Sequence, residues 1–335
     1  MGNCMSSSTG GNPKAQPSGT TSNDVEGMKS TPVSTSSGSA KRVVFVFGCS
    51  GNVGGATIRA LSSQFGDKLD IKAGVRESSM AKASPLQELP GVTVVSAAMG
   101  DKENLVSTLK GVDVMFVTVP PTEDRGDISI RTMEAGKQAG VNHVIVVSFP
   151  AVDLDILFGR QFKPIESAAK SLGMTYTILR LPMFVDNLFM AKDGIVGQSK
   201  IYSPMESDKP YCPVVVNDIG VAAATIMASY EKHENTTYTL TSTRFTYREL
   251  AVLFSEALGR EIVHVQVPYE AGKQAFVDIG MPEWQGEGAM DLVRLVNEGS
   301  PAADIADMGD FKKITGKDPT DIKTWVNQVK DAFTG

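Results

Sequence analysis

An unbroken apolar run, Arg42 to Phe47 (RVVFVF), passes directly into the turn Gly48, Cys49, Ser50, Gly51, Asn52, Val53 and Gly54 (GCSGNVG). A stretch with helical spacing then continues to Phe65. A run of β-branched and aromatic residues without polar alternation suits a strand buried on both faces of a parallel sheet. The three glycines then have separate uses. Gly48 permits a tight turn, Gly51 lets backbone amides approach a pyrophosphate, and Gly54 lets the following helix pack closely on the strand. A strand before and a helix after are the context in which this spacing points to a nucleotide site, with phosphates at a helix N-terminus.

Five further apolar runs follow, at 70–76, 91–97, 112–120, 143–150 and 175–182, with helical stretches such as Val53 to Phe65 and Ile128 to Gly140 between them. Strands alternating with helices predict an α/β fold, a doubly wound parallel Rossmann sheet over residues 41–182. Beyond Pro182 the rhythm loosens. Strands are expected at Val214 to Val216 and Tyr238 to Thr241, and a helix at Tyr247 to Leu258 closed by Gly259. Further helices are expected around Asp291 to Asn297 and Asp321 to Phe333. Residues 183–332 therefore read as a smaller C-terminal α+β lobe with a returning strand, irregular around GMPEW (280–284), over the sheet's carboxyl edge.

The second strand ends at Arg76, about twenty residues past Gly54, where an acidic residue would hold the ribose hydroxyl in an NAD protein. A guanidinium there suits the extra phosphate of NADP(H), although Glu77 beside it can neutralise it or take a ribose hydroxyl. The chain has one Tyr-xxx-Lys spacing, Tyr269 to Lys273, and it lies after the last expected sheet strand. It is not read as a catalytic pair, and the catalytic residues stay unassigned. Ser148, ending the fifth strand, is placed to face a nicotinamide. His143 and His264 lie in strand-like runs and read as structural, and Asp218 reads as a helix cap.

The 32 basic and 38 acidic residues leave a net charge of -6, which argues against nucleic acid as a partner. Three cysteines without metal or disulfide spacing suit a reducing, cytoplasmic setting. Residues 1–40, rich in Ser, Thr, Gly and Pro, read as a disordered tail. Its start, MGNCMSSS, carries the N-myristoylation pattern at Gly2 and Ser6, and Cys4 can add the palmitate that stable anchoring needs. The expectation is a protein on the cytosolic face of a membrane, held by the lipid anchor alone.

Taken together, GCSGNVG, Arg76, IESAAKSLGMTYTILRLPMFVDNL (165–188) and FKKITGKDPTDIKTWV (311–326) resemble the NmrA-like family of atypical short-chain dehydrogenases. The resemblance covers about residues 42–330. It implies that Phe184 and Asn187 lie against the nicotinamide side of the cofactor, that Thr118, Val119 and Pro120 line its groove, and that Met99 lies near the adenine. Two positions depart from the family. Ala98 stands where an aspartate is frequent, and Phe162 stands where a lysine or histidine is frequent. Lys163, one place later, is carried as a cofactor contact by a small shift. Two functions fit the resemblance. One is an NADPH-dependent reductase of a small quinone-like or unsaturated substrate. The other is a non-catalytic NADP(H) redox sensor acting through a regulatory protein partner.

Overall fold

The computed structural model describes residues 41–119, 121–303, 305 and 309–334. The tail 1–40 with its acylation sites Gly2 and Cys4, and the groove residue Pro120, lie outside the described residues.

Nine strands occur among the described residues. They are β1 (Arg42–Phe47), β2 (Leu69–Val75), β3 (Val92–Ser96), β4 (Val114–Val117), β5 (His143–Ser148), β6 (Thr175–Arg180), β7 (Lys200–Ser203), β8 (Thr236–Thr239) and β9 (Val263–Gln266). Seven form one parallel sheet in the order β3-β2-β1-β4-β5-β6-β8, while β7 and β9 pair in parallel in a small sheet of their own. The order reverses direction between β1 and β4, which is where a doubly wound sheet opens a crevice at its carboxyl ends.

The sheet is covered on both faces by α1 (Asn52–Phe65), α2 (Met80–Ala83), α3 (Lys102–Thr108), α4 (Arg125–Ala139), α5 (Leu157–Ser171) and, further along the chain, α7 (Val216–Ala228). Along β1 the side chains alternate between two cores, as a period of two requires. Val44 and Val46 join Ile58, Ile71 and Ile219 on one face. Phe45 and Phe47 join Met115, Met133 and Val146 on the other. On the first face α7 crosses α1 at backbone range, for a Cβ on Gly220 would lie 2.6 Å from the carbonyl carbon of Ala56.

The lobe contains α6 (Lys192–Gln198), α8 (Tyr247–Leu258), α9 (Tyr269–Asp278), α10 (Glu283–Asn297) and α12 (Ile322–Val329) around a third core with Ile201, Phe254, Met290 and Trp325, whereas α11 (Asp310–Thr315) packs Phe311 and Ile314 into the first core beside α7. The α8 limits match the sequence expectation, and their cause is visible. Thr246 and Glu249 form a reciprocal capping box, and Gly259 ends the helix at φ 64°.

Two expectations are corrected. Val214 to Val216 is not a strand: Val214 makes a single parallel bridge to Phe184, and Val216 already begins α7. That apolar triplet is buried because it enters a helix, which periodicity over three residues cannot reveal. The GMPEW segment is not irregular either. Gly280, at φ 85°, follows the end of α9, and Pro282 leads into α10, so the segment is the turn of a helical hairpin.

Candidate functional site

The glycine turn has the geometry its spacing implied. Gly48 sits at φ 68°, and a Cβ on it would lie 2.6 Å from the carbonyl oxygen of Thr118, at the end of β4. A Cβ on Gly54 would lie 2.5 Å from the carbonyl oxygen of Gly48 and 2.9 Å from that of Phe47. Only glycine lets α1 start this close to β1. Gly51 differs, since its Cβ would meet nothing nearer than 3.3 Å. It is the N-cap of α1, where no side chain caps the free amides and no acidic residue sits in the first turn. An anion can therefore be held there by backbone N–H groups and the helix dipole.

A cavity of about 890 Å³ runs across the carboxyl ends of the parallel strands. It passes Gly74 and Val75 at the end of β2, Ala98 and Met99 after β3, Thr118 and Val119 after β4, Ser148 and Phe149 at β5, and Leu181 to Phe184 after β6. Six of the seven turn residues, Gly48, Ser50, Gly51, Asn52, Val53 and Gly54, line it. Arg76 lies at one end, exposed and without an ion-pair partner among the described residues, and exposed Lys82 of α2 lines the same wall. Sequence reading missed Lys82, although a lysine six residues past a strand-end arginine was visible. Towards the other end the lobe closes over the crevice with Tyr202, Met205, Tyr211, Tyr247, Phe276 and Met290.

Phe184 and Asn187 both face the cavity, beyond β6. No side-chain hydrogen bond from Asn187 caps the helix that follows. Ser148 is held firmly. Its hydroxyl donates to Glu166 Oε1 at 2.7 Å, and Arg180 grips the same carboxylate through Nε at 2.8 Å and Nη2 at 2.9 Å. Burial pushes the Glu166 carboxyl up, but the guanidinium, the hydroxyl and Lys170 outweigh it and hold it below the usual carboxylate range. With its proton committed to Glu166, Ser148 presents its oxygen as an acceptor.

Several residues stand elsewhere than expected. Cys49 turns into the core, where its thiol donates to the Val46 carbonyl at 2.9 Å, and burial pushes its ionisation far above the ordinary thiol range. It does not line the cavity. Lys163 is exposed on α5 and pairs with Asp153 at 3.1 Å, whereas Phe162 lines the cavity. Neighbouring helix positions point about 100° apart, so a one-residue shift carries the side chain off the site. Tyr269 and Lys273, which the sequence did not single out as a catalytic pair, do not line the cavity. The tyrosine hydroxyl accepts from Asn297 at 2.9 Å, and the lysine pairs with Glu283 and Glu287. Asp218 does not cap its helix. It accepts from the Thr320 amide and hydroxyl at 2.7 and 2.8 Å, while Asp186 takes the Val216 amide at the start of α7. His143 spans Thr175 and Thr177 as a structural residue, and His264 bonds Ser207.

The sequence also gave no sign of Arg125. It is the first residue of α4, lines the cavity and is 7% exposed. Its guanidinium carbon lies 5.7 Å from the Phe158 ring, 5.0 Å from Phe162 and 5.8 Å from Trp284.

A glycine turn at the switch point of a doubly wound sheet, under a helical lobe, defines a Rossmann-type α/β protein with a strand-end ligand crevice. The chain belongs to the NmrA-like family, whose family model matches residues 40–324. It is 28% identical over 279 residues to an NAD(P)H azoreductase of Xenophilus azovorans, covering 82% of this chain and 93% of that protein. The structure of the Citrobacter triphenylmethane reductase complexed with NADP(H) matches with a TM-score of 0.72 at 28% identity, over 85% of this chain and 99% of that one. NmrA, a negative transcriptional regulator crystallised with NAD, shares the fold with a TM-score of 0.70 at 17% identity, over 87% and 96% of the two chains. No helix among the described residues is long and apolar enough to cross a membrane.

Proposed function

We propose that this protein is an NADP(H)-dependent oxidoreductase that reduces a small quinone-like or otherwise unsaturated molecule. The observation that carries this reading is the continuity of the cavity from Arg76 and Lys82, over the glycine turn, to a chamber walled by Phe184, Phe276 and Met290. A dinucleotide and a small acceptor fit end to end in a crevice of this volume. In this reading Ser50, Gly51, Asn52, Val53 and Gly54 hold the pyrophosphate on backbone amides. Arg76, joined by Lys82, grips the ribose phosphate, and Met99 borders the adenine. Thr118 and Val119 line the groove, and Phe184 and Asn187 flank the nicotinamide.

The reduced nicotinamide, when bound, supplies the hydride. The protein supplies position, since a held donor and an acceptor at near-attack distance account for much of the barrier lowering. Ser148, fixed by Glu166, orients a hydrogen-bond donor on the cofactor side, and the apolar lobe keeps water from the reacting atoms. No tyrosine and lysine pair faces the chamber among the described residues, and a quinone needs none, because the hydroquinone monoanion left by hydride transfer takes its proton from bulk solvent once it leaves the chamber. The relatives named as reductases support this reading. The test is turnover of NADPH-loaded protein with quinones and azo compounds.

The absence of that pair from the cavity lining also favours a second reading, a redox sensor that binds NADP(H) and signals through a protein partner. Tight NADPH binding without reduction of any acceptor would select it. Acylation of Gly2 and Cys4 is a further proposal, resting on the motif alone. Expressed in eukaryotic cells, the protein should fractionate with membranes and Gly2→Ala should not. A wholly soluble wild type would overturn that anchor.

A further inference from the structure

Among the described residues Arg125 is a buried cation with no counter-ion. Its Nε and Nη2 have no hydrogen-bond partner, and no carboxylate pairs with it among the described residues. Burial alone pushes its pKa down, to about 10, so it stays charged at neutral pH. An uncompensated buried charge is among the most unfavourable features a fold can carry. The three rings around it attract the cation through their faces, yet they offer nothing to its N–H groups.

The unpaired atoms are not scattered over the guanidinium. Nε and Nη2 share one edge, the edge Arg180 uses on Glu166 at 2.8 and 2.9 Å and Arg248 uses on Asp208. At Arg180 and Arg248 that edge holds a carboxylate bidentately, and at Arg125 it has no partner among the described residues. Other unsatisfied groups gather in the same cavity wall: Thr122 Oγ1, Ser129 Oγ and Gln285 Oε1 are all buried without partners. Ser129 stands one helical turn from Arg125 on α4, while Gln285 is next to Trp284 on α10. Two hydroxyls and an amide that can turn over to donate complete a donor set around the cation.

We infer that this cluster is an anion subsite of the chamber, built for the carboxylate of a flat, aromatic acceptor. The aromatic body would lie against Phe158 and Phe162, which line the cavity, and the carboxylate would take the free edge of Arg125. The cofactor does not account for it. In the proposed reading its phosphates are served by the glycine turn and by Arg76 with Lys82, on other elements of the crevice. The inference rests on the reductase reading only for calling the occupant a substrate.

The test is calorimetric titration of the NADP⁺-loaded protein with 2-naphthoate and with its neutral isostere 2-naphthamide. The naphthoate should bind at least about tenfold more tightly, the advantage of a bidentate charged contact. Arg125→Met should reduce that ratio to near one, and Arg125→Lys should fall between. NADP⁺ affinity of the same variants reports whether they fold, and Gln285→Leu, which leaves the arginine in place, should lower the ratio by itself. Equal binding of the two probes by the wild type, no binding of naphthoate, or a ratio that survives Arg125→Met would each overturn the subsite. A clear naphthoate preference without reduction of any acceptor would keep the subsite and remove the reductase reading. Turnover of neutral quinones without that preference would do the reverse.

Discussion

Replacing Gly51 or Gly54 with alanine adds the same methyl group three residues apart, and the two changes should have opposite consequences. At Gly54 the new Cβ would stand 2.5 Å from the Gly48 carbonyl oxygen and would have to retreat by about 0.9 Å to reach an ordinary 3.4 Å contact. The obstacle is backbone on both sides, so the whole first turn of α1 must lift from β1. Overpacking of this kind costs about 3 kcal/mol, which in a chain this size lowers Tm by at least about 5 °C. At Gly51 the nearest atom is 3.3 Å away, and φ -96° with ψ 175° is open to alanine, so Tm should hardly change. The Gly51 methyl would instead stand where a pyrophosphate approaches the amides. Losing charge-assisted hydrogen bonds there costs about 1.5 to 3 kcal/mol, or roughly tenfold to a hundredfold in Kd. Differential scanning calorimetry and titration with NADP⁺ on both variants check this. Wild-type affinity in Gly51→Ala would show that the phosphates sit elsewhere, and an unchanged Tm in Gly54→Ala would refute the close approach of helix and strand.

Arg76→Ala should weaken NADPH binding about tenfold while leaving NADH nearly unchanged, because only the former carries the ribose phosphate. Equal loss for both nucleotides would remove Arg76 as the discriminator, and Lys82→Ala should show the same selectivity in smaller measure. His143 is fully buried, and burial, with the charge of His233, lowers its pKa from 6.5 to about 4. The fold thus holds the neutral ring. The stability this provides is complete above pH 6.5 and is lost as pH falls towards 4, about 3 kcal/mol at the limit. Urea unfolding of wild type and His143→Asn should diverge in slope across that window, and parallel slopes would contradict it. Asn187→Ala should slow reduction of an acceptor without lowering Tm, whereas a lower Tm with unchanged kinetics would make Asn187 structural.

The central strands β1, β4 and β5 were legible because each is buried on both faces along most of its length, which forces a continuous apolar run. The glycine turn was legible because its neighbours in sequence are its neighbours in space. The lobe was harder. Strand β7 has four residues, too few for periodicity to speak, and the triplet Val214 to Val216 is apolar for a different reason than pairing. Side-chain direction was the other limit. Cys49 sits within the turn and Lys163 beside Phe162, yet both side chains leave the cavity, a matter of one residue's rotation. Arg125 was invisible because its burial comes from Phe158, Phe162 and Trp284, of which the last is remote in sequence. Nothing adjacent to an arginine announces that it will have no carboxylate.

The most direct test of the proposed activity is a single-turnover measurement of NADPH-loaded protein mixed rapidly with menadione, benzoquinone and azobenzene, following the absorbance of the reduced nicotinamide. If the chamber beyond Phe184 and Asn187 is a reducing site, the absorbance should fall only when an acceptor is present, at a rate that saturates with its concentration and drops in Asn187→Ala. Bound NADPH that stays reduced with every acceptor, in protein that still binds it tightly, would contradict the reductase and leave the sensor.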